Sequence, residues 1–546
     1  MLTTTTPRAL LGQYAGIFLK PLRNNQKSHL KQAAQGILLL EGFEATQVDL
    51  LGAYDKGITP NRTWWFRFNQ LPTLGWASGI WTESNHARDF IGFNFDVVNN
   101  WVAHSSEQLP LKWHDHASAF RMKNMADWYV TIANYSTKHD KDLEVLAEII
   151  DEHLQWLCEE RNYSRLTNHG FEQARLMMSV ASEMPGLPTS TQALRLALLR
   201  LQDEICFAFT GQGVHKENSP GYQWFMIKVM QEAKLMLDGY GLSLHDIDFR
   251  DLLSMAKSFL DAIALPDNSL PLIGDTQYKE KQNAYVFKLR RNSPKSEGVQ
   301  VFDYSKSGYV IVKDFTDQKA PIHLVFKNGH LSDYHRHNDD LSIHLTKGNT
   351  VIFGDGGLYS HNQADIGRQY AKSAWAHSTT FPVRNAQDRV KHKSLIKYPE
   401  MRLFDNARIV GKTWLYYPYA VLTREVLWDA DDGLKTLSLL DAVQAEEAVR
   451  AQLVSCFLLP VSEACVSIDK GLGIVSFRLG DVKAEIQYSV EKVDPWVQVG
   501  DWGKAASNNT TPIVSKKIGD STAATRLEFY WKRSIGRVPF KVRLLS

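Results

Sequence analysis

At 546 residues the chain is too long for one ordinary domain, and two are expected. A hydrophobic share of 44% beside 22% charged residues describes a globular protein that folds in water, not a disordered or fibrous one. The formal net charge of +2 makes no case for a nucleic-acid partner, although a local basic cleft could still hold an acidic polymer.

The N-terminal segment MLTTTTPRALLGQYAGIFLKPLRNN is interrupted by Gly12, Gln13 and Gly16 and shows no small-residue cleavage site. It reads poorly as a secretion signal, which leaves a cytoplasmic protein or a processed form of an exported one. No apolar run reaches the ~18 residues of a membrane span. The next stretches, to about residue 290, read as helical. KDLEVLAEIIDEHLQWLCEE places Leu143, Leu146, Ile149, Ile150, Leu154 and Leu157 on one helical stripe. TQALRLALLRLQDEICFAF, GYQWFMIKVMQEAKLML and IDFRDLLSMAKSFLDAIAL show similar stripes, joined by Gly/Pro/Asn-rich connections such as TGQGVHKENSPG and LPDNSLPLIGD. Many one-sided helices in succession predict paired helices in a toroid or bundle over residues 1–290.

The change of period falls in KEKQNAYVFKLRRNSPKSEG, a polar segment of the kind that separates domains. From about residue 300 the period becomes two. SGYVIVKDF, IHLVFKNG, LSIHLTKG, TVIFGDG and KTLSLLDAV read as short strands, predicting an antiparallel β-sandwich over 300–546. The four cysteines, Cys158, Cys206, Cys456 and Cys465, lack metal spacing and are too few for a disulfide framework; buried free thiols are expected. Of the 15 tryptophans, seven stand at Trp64, Trp65, Trp76, Trp81, Trp101, Trp113 and Trp128, most of them expected in a helical core.

The most informative segment is DYHRHNDDLSIHLTKGNTVIFGDGGLY, residues 333–359. If His335 and His337 lie on a strand, their side chains point the same way and share one pocket. Asp355, in a Gly-rich turn, and His377, in AWAHSTTF, complete a nitrogen and oxygen donor set suited to zinc.

This order resembles the C-terminal domain of the heparinase II/III-like polysaccharide lyases, which include alginate-type relatives. A second resemblance lies upstream, in LTNHGFEQARLMM around Asn168 and His169 and in HKENSPGYQWF around Tyr222. The chain departs from the pattern at His377, which sits in HST where relatives often have HNT. The resemblance implies an (α/α) toroid followed by an antiparallel β-sandwich, an activity on an acidic polysaccharide, and an exported location. It also implies a zinc ion on His337, Asp355 and His377 that braces the loop carrying His335.

The implied reaction is β-elimination at a uronic acid. A base removes the C5 proton, the bond at C4 breaks, and a second group protonates the leaving oxygen. The neighbouring carboxylate must be neutralised or hydrogen-bonded first. Asn168 and His169 suit that role, an amide donating without competing as a base; taken as residue types alone, Asn168 is equally a helix cap. Tyr222 suits the acid, and the base if neighbouring cations lower its ordinary value of ~10. His335 suits the second proton-transfer group. WHDHASAFR resembles a segment common in relatives and supplies Trp113, His116 and Arg121 as substrate contacts; Arg121 alternatively pairs with Asp115 in helix packing. Glu217, just upstream of Tyr222, is a further substrate contact, or tunes the tyrosine. A glycosaminoglycan such as heparan sulfate is the first substrate class, alginate or a bacterial exopolysaccharide the second. A metal-dependent hydrolase and a non-catalytic glycan-binding protein are the competing readings.

Overall fold

The structure, a computed structural model, describes residues 6–19, 25–54, 62–81, 85–135, 137–245, 247–291, 297–386, 399–417, 419–430, 435–444, 452–462, 464–500 and 511–545. The chain forms two compact units. One comprises Met1–Ala208 with Met230–Asp248, the other Phe209–Val229 with Phe249–Ser546.

The first unit is helical apart from a short antiparallel pair, Ile37–Leu38 with Thr46–Gln47. Helix Asp115–Ala133 packs against Asp140–Cys158 and Asn168–Glu183, and the last also packs against Ser190–Ala208. The stripe read from the sequence in Asp140–Cys158 is the buried face: Leu143, Leu146, Ile149, Ile150, Leu154 and Leu157 are all inside. Asn168–Glu183 is different, because every residue from Gly170 to Glu183 is buried. A helix covered on all sides must also hide its charges. Lys123 reaches Asp127 and lies 3.3 Å from Glu183, which also accepts from Tyr240 Oη at 2.6 Å. Of the seven tryptophans, Trp64, Trp65, Trp101 and Trp128 are buried and Trp76 and Trp113 half-buried; the side chain of Trp81 lies outside the described residues.

In the second unit, the strands at Val299–Tyr304, Tyr309–Asp314, Ile322–Lys327, Ser342–Lys347 and Thr350–Phe353 form a five-stranded antiparallel meander in chain order. The run YVIVKD is buried along its whole length because both faces of this sheet are covered. Val310 and Val312 enter the large core shared with the later strands, whereas Tyr309 and Ile311 pack with Phe259, Ala262 and Ile263 of helix Phe249–Ile263. Each such aliphatic side chain contributes about 1.5–3 kcal/mol by leaving water. Beyond it stand an eight-stranded and a four-stranded antiparallel sheet.

The polar segment read as a domain junction contains a helix, Glu280–Arg290; residues 292–296 of it lie outside the described residues. The helix docks because the Arg290 guanidinium donates to the carbonyls of Asp261, Ala264 and Leu265 at 2.6–3.0 Å, satisfying the open C-terminal end of Phe249–Ile263. All four cysteines are unpaired thiols, but the expectation of burial holds for Cys456 alone: Cys158 is half-buried, and Cys206 and Cys465 are exposed. Among the described residues no helix is long and apolar enough to cross a membrane.

Candidate active site

Two clusters of the residues singled out above form, one in each unit. Helix Pro220–Tyr240, of which the part to Val229 belongs to the second unit, starts on a proline, whose fixed φ suits a first helical position. Its first turn docks on the segment Gly274–Thr276: Thr276 Oγ1 accepts from Gly221 N at 3.1 Å and lies 2.9 Å from Ser219 Oγ. Gly274 takes φ 57°, and a Cβ there would meet the Asn218 carbonyl oxygen at 2.5 Å, so only glycine allows this approach. Asn218, itself at φ 58°, donates to the carbonyls of Ser332 and Tyr334 at 2.9 Å each. Ser332 Oγ donates back to Lys216 O at 2.7 Å. These bonds tie the loop before Tyr222 to the loop before His335.

The result is a stacked pair. The Tyr222 and His335 rings lie 3.8 Å apart at 24°. His335 is not on a strand, as its i, i+2 spacing to His337 suggested. It sits in the loop before Ser342–Lys347 with φ 52°, a conformation that costs an ordinary residue roughly 1–2 kcal/mol. The two histidines nevertheless share a partner, for a different reason: both reach Asp275. His335 Nδ1 donates to Asp275 Oδ2 and His337 Nε2 to Oδ1, each at 2.7 Å. Arg368 grips the same carboxylate with both guanidinium nitrogens, Nη2 at 2.9 Å from Oδ2 and Nη1 on Oδ1. Glu217 Oε2 stands 3.3 Å from His335 Nε2, so Glu217 is buried against the histidine and is not an open substrate contact.

These neighbours set the protonation states. Burial alone would raise the Asp275 carboxyl, but the hydrogen bonds from His335 and His337 and the Arg368 guanidinium outweigh it and hold the group well below the usual carboxylate range. Tyr222 moves opposite to the expectation of a lowered value. Burial pushes its phenol well up, the Asp275 and Glu217 charges push further, and Arg368 offsets only part. It is a neutral phenol at neutral pH, which fits a proton donor and not a base. Burial draws His337 below its ordinary value against the pull of Asp275, leaving a neutral imidazole.

His337, Asp355 and His377 also gather in this unit. His377 Nδ1 donates to Asp355 Oδ1 at 2.5 Å, and the His337 and His377 rings lie 5.4 Å apart. All three side chains are buried. As they stand, no three such donors among the described residues converge closely enough to hold an ion. Their chemistry does fit one. Asp275 and Asp355 each take the proton-bearing nitrogen of a histidine, which leaves lone pairs on His337 Nδ1 and His377 Nε2. Those two nitrogens and Asp355 Oδ2 are buried without a hydrogen-bond partner among the described residues. Orphaned acceptors on two imidazoles and a carboxylate, each oriented by a second hydrogen bond, are donors of the type that suits zinc.

The first unit holds the other cluster, at the facing ends of Asp115–Ala133 and Asn168–Glu183. Asp115 accepts from His169 Nδ1 at 3.1 Å and from the Ser164 hydroxyl, and His114 Nδ1 lies 2.7 Å from its other oxygen. Burial opposes ionisation of Asp115, but the contacts with His114, His169 and Ser164 prevail and keep it charged far below the usual range. The His116 and His169 rings lie 4.4 Å apart. Burial, with the His169 charge adding and Asp115 opposing, draws His116 down to about 3, so it is neutral. The helix cap is Thr167, whose side chain accepts from Gly170 N; Asn168 is the first helical residue, and its half-buried amide makes no hydrogen bond among the described residues.

Arg121 requires a correction. It is fully buried, with Nε on His153 Nε2 at 2.8 Å, Nη1 on Asn69 O at 2.8 Å and Nη2 on Ser118 Oγ at 3.1 Å, over the Trp101 ring at 4.0 Å. These hydrogen bonds all lie inside the helical core, and none is to Asp115. Trp113, half-buried, packs in the same group, 4.9 Å from His153 and 5.3 Å from Trp156. Sequence reasoning missed Asp275, read as part of a connection, and Arg368, which lies between the segments GDGGLY and AWAHSTTF. The one signal was LPLIGD, an aspartate closing an otherwise apolar loop.

Comparison with known proteins adds the family. The heparinase II/III N-terminus profile matches residues 74–297, and the heparinase II/III-like C-terminal profile residues 297–519. Among solved structures, heparinase III is 13% identical with a TM-score of 0.74, covering 100% of this chain and 87% of that one. Heparan sulfate lyase HepC from Pedobacter heparinus is 14% identical with a TM-score of 0.67, over 96% and 83%. A point mutant of chondroitin AC lyase from Streptomyces coelicolor is 9% identical with a TM-score of 0.56, over 99% and 82%. The fold class is accordingly a helical toroid followed by an antiparallel β-sandwich. No curated protein sequence gives a match.

Proposed function

Because the chain belongs to the heparinase II/III family of polysaccharide lyases, we propose that it cleaves a glycosaminoglycan of the heparan sulfate type beside a uronic acid by β-elimination. The observation that carries this reading is the Tyr222–His335 stack held on Asp275. With Nδ1–H directed to Asp275, His335 presents the lone pair of Nε2, which accepts the C5 proton. The electrons of that C–H bond form the C4–C5 double bond as the C4–O bond breaks. The imidazolium that results lies between the Asp275 and Glu217 carboxylates, which stabilise it. Tyr222, kept neutral by burial and by those same carboxylates, donates its proton to the departing O4. At 3.8 Å ring separation the imidazolium can then return a proton to the phenolate.

Asn168 serves the uronate carboxylate. Its unengaged amide donates to the carboxylate oxygens and stabilises the charge that spreads onto them as the C5 proton leaves. His169 stands beside it with its Nδ1–H engaged by Asp115, so its Nε2 donates to the carboxylate only in the imidazolium form. Zinc bound at His337, Asp355 and His377 would supply a fixed cross-link behind the His335 loop, in the manner of a structural site.

The test is incubation with heparan sulfate, chondroitin sulfate, alginate and a bacterial uronic exopolysaccharide while ultraviolet absorbance of unsaturated uronate ends is followed. Unsaturated ends from heparan sulfate support the whole reading. The same product from another polymer alone corrects the substrate and keeps the mechanism. New reducing ends without unsaturation would make the protein a hydrolase.

A further inference from the structure

Asn168 has no side-chain partner of its own among the described residues, so its position rests on the backbone that carries it. That backbone is the turn from Tyr163 to Thr167, and its geometry needs external support. Leu166 takes φ 62°, in the left-handed region that a leucine does not adopt unaided. The support comes from the neighbouring helix, Ser190–Ala208. Glu204, 2% exposed, turns its carboxylate into the turn, where Oε1 accepts from Leu166 N at 2.8 Å and from Tyr163 Oη at 2.5 Å. The first acceptor bond falls on the strained residue itself. The contact is close enough to fix the next residues too: a Cβ at Gly170 would collide with Glu204 Oε1 and with the Ser164 carbonyl oxygen, so the helix start, the turn and the carboxylate are mutually packed.

Other bonds leave a gap that Glu204 fills. Gln173 holds the beginning of the turn, accepting from Ser164 N at 3.0 Å and donating to Asn162 O at 2.8 Å. Thr167 caps the helix and donates to Ser164 O at 2.7 Å. Neither side chain bonds the Leu166 amide. Burial is the main influence on the Glu204 carboxyl and raises it to about 7; the bonds from Tyr163, Leu166 and Thr167 oppose the rise, and neighbouring Asp203 adds to it. The Arg200 guanidinium lies over the Tyr163 ring at 4.1 Å and does not pair with Glu204. The desolvation cost of burying this carboxyl is offset by the hydrogen bonds it accepts.

We infer that Glu204 is a positioning residue of the lyase reaction: it holds Leu166 in its left-handed conformation and so aims the Asn168 amide and the His169 ring at the uronate carboxylate. This rests on the role given above to Asn168. The bonds that matter are those of an acceptor oxygen, which a glutamine retains and an alanine lacks.

The experiment is a double-mutant cycle of Glu204→Ala and Asn168→Ala, with Glu204→Gln as the conservative control, on whichever uronic polymer the wild type cleaves. Glu204→Ala is expected to lower kcat by about a hundredfold with KM changed less than about threefold, the cost of misplacing a group by roughly an ångström. Glu204→Gln should recover most of that loss. Adding Glu204→Ala to Asn168→Ala should lower kcat no further, because the two act through one interaction. If Asn168→Ala lowers kcat and Glu204→Ala does not, or if the two losses multiply, the positioning role is wrong and the proposed mechanism stands. If Asn168→Ala itself leaves kcat intact, the mechanism fails first. Should Glu204→Ala not fold, Tyr163→Phe takes its place in the cycle: it removes one donor from Oε1, and a kcat loss absent from the Asn168→Ala background is again the required result.

Discussion

Asp275→Asn should separate the roles of the carboxylate that joins the proton-transfer histidine to the candidate metal ligand. Asp275 is fully buried and accepts four hydrogen bonds, from His335, His337 and twice from Arg368. Asparagine offers one acceptor oxygen and places two N–H donors where a carboxylate oxygen stood. Whichever way it turns, one histidine loses its acceptor and the buried Arg368 loses its counter-charge. Removing one partner of a buried ion pair costs ~3–5 kcal/mol, and losing the group that fixes the tautomer of a catalytic histidine costs on the order of 10³–10⁴ in kcat. The pH dependence gives an independent check. The native carboxyl is held well below its ordinary value, so its contribution is complete above the unfolded value of about 3.9 and is lost as pH falls toward the folded one. The melting temperature of the variant should therefore trail the wild type throughout the neutral range and approach it under strongly acidic conditions. Turnover by ultraviolet absorbance, with thermal melts across pH, measures both. A variant with wild-type kcat and an unchanged melting temperature at neutral pH would refute the reasoning.

Three further outcomes follow from the geometry. Tyr222→Phe should fold normally, since the ring and its stack on His335 remain, and should abolish elimination; retained turnover would remove the phenol from the mechanism. Arg121→Ala should destabilise the helical unit by at least about 3 kcal/mol, because it strands buried acceptors on His153, Asn69 and Ser118; a raised KM at unchanged stability would return Arg121 to the substrate. If His337, Asp355 and His377 hold a structural zinc, His337→Ala should lose metal and melting temperature together, whereas His335→Ala should keep both and lose activity. Equal metal loss in the two variants, by elemental analysis, would mean that the pair has been misassigned.

The helices and strands were legible because most of them bury one face, and a one-sided element writes its period into the sequence. Leu143 to Leu157 in Asp140–Cys158 are an instance. The lesson of YVIVKD is the converse: its run of buried residues records a sheet covered on both faces, which no strand pattern alone could assign to a particular partner. Helix Phe249–Ile263 supplies that cover, and so groups with the β-rich unit although its periodicity is that of the earlier helices. Periodicity reports that a face is buried and is silent about what buries it.

The candidate site shows the same limit more sharply. His335 and His337 were noticed for a spacing that implied a strand, and they sit in a loop. What brings them together is Asp275, some sixty positions earlier, in a connection whose importance depends on Gly274 and Asn218 both taking left-handed backbone. Motif residues carry their chemistry in their type, so Tyr222, His335 and Asn168 could be named from the chain. The groups that set their protonation and direction do so through distance and burial. Tyr222 is the clearest case: its identity suggested a phenol activated by cations, and its neighbours turned out to be the two carboxylates of Asp275 and Glu217, with Arg368 engaged by the first of them. The reversal removes the phenolate base that cations would have allowed and leaves Tyr222 the role of acid that its residue type suggested first.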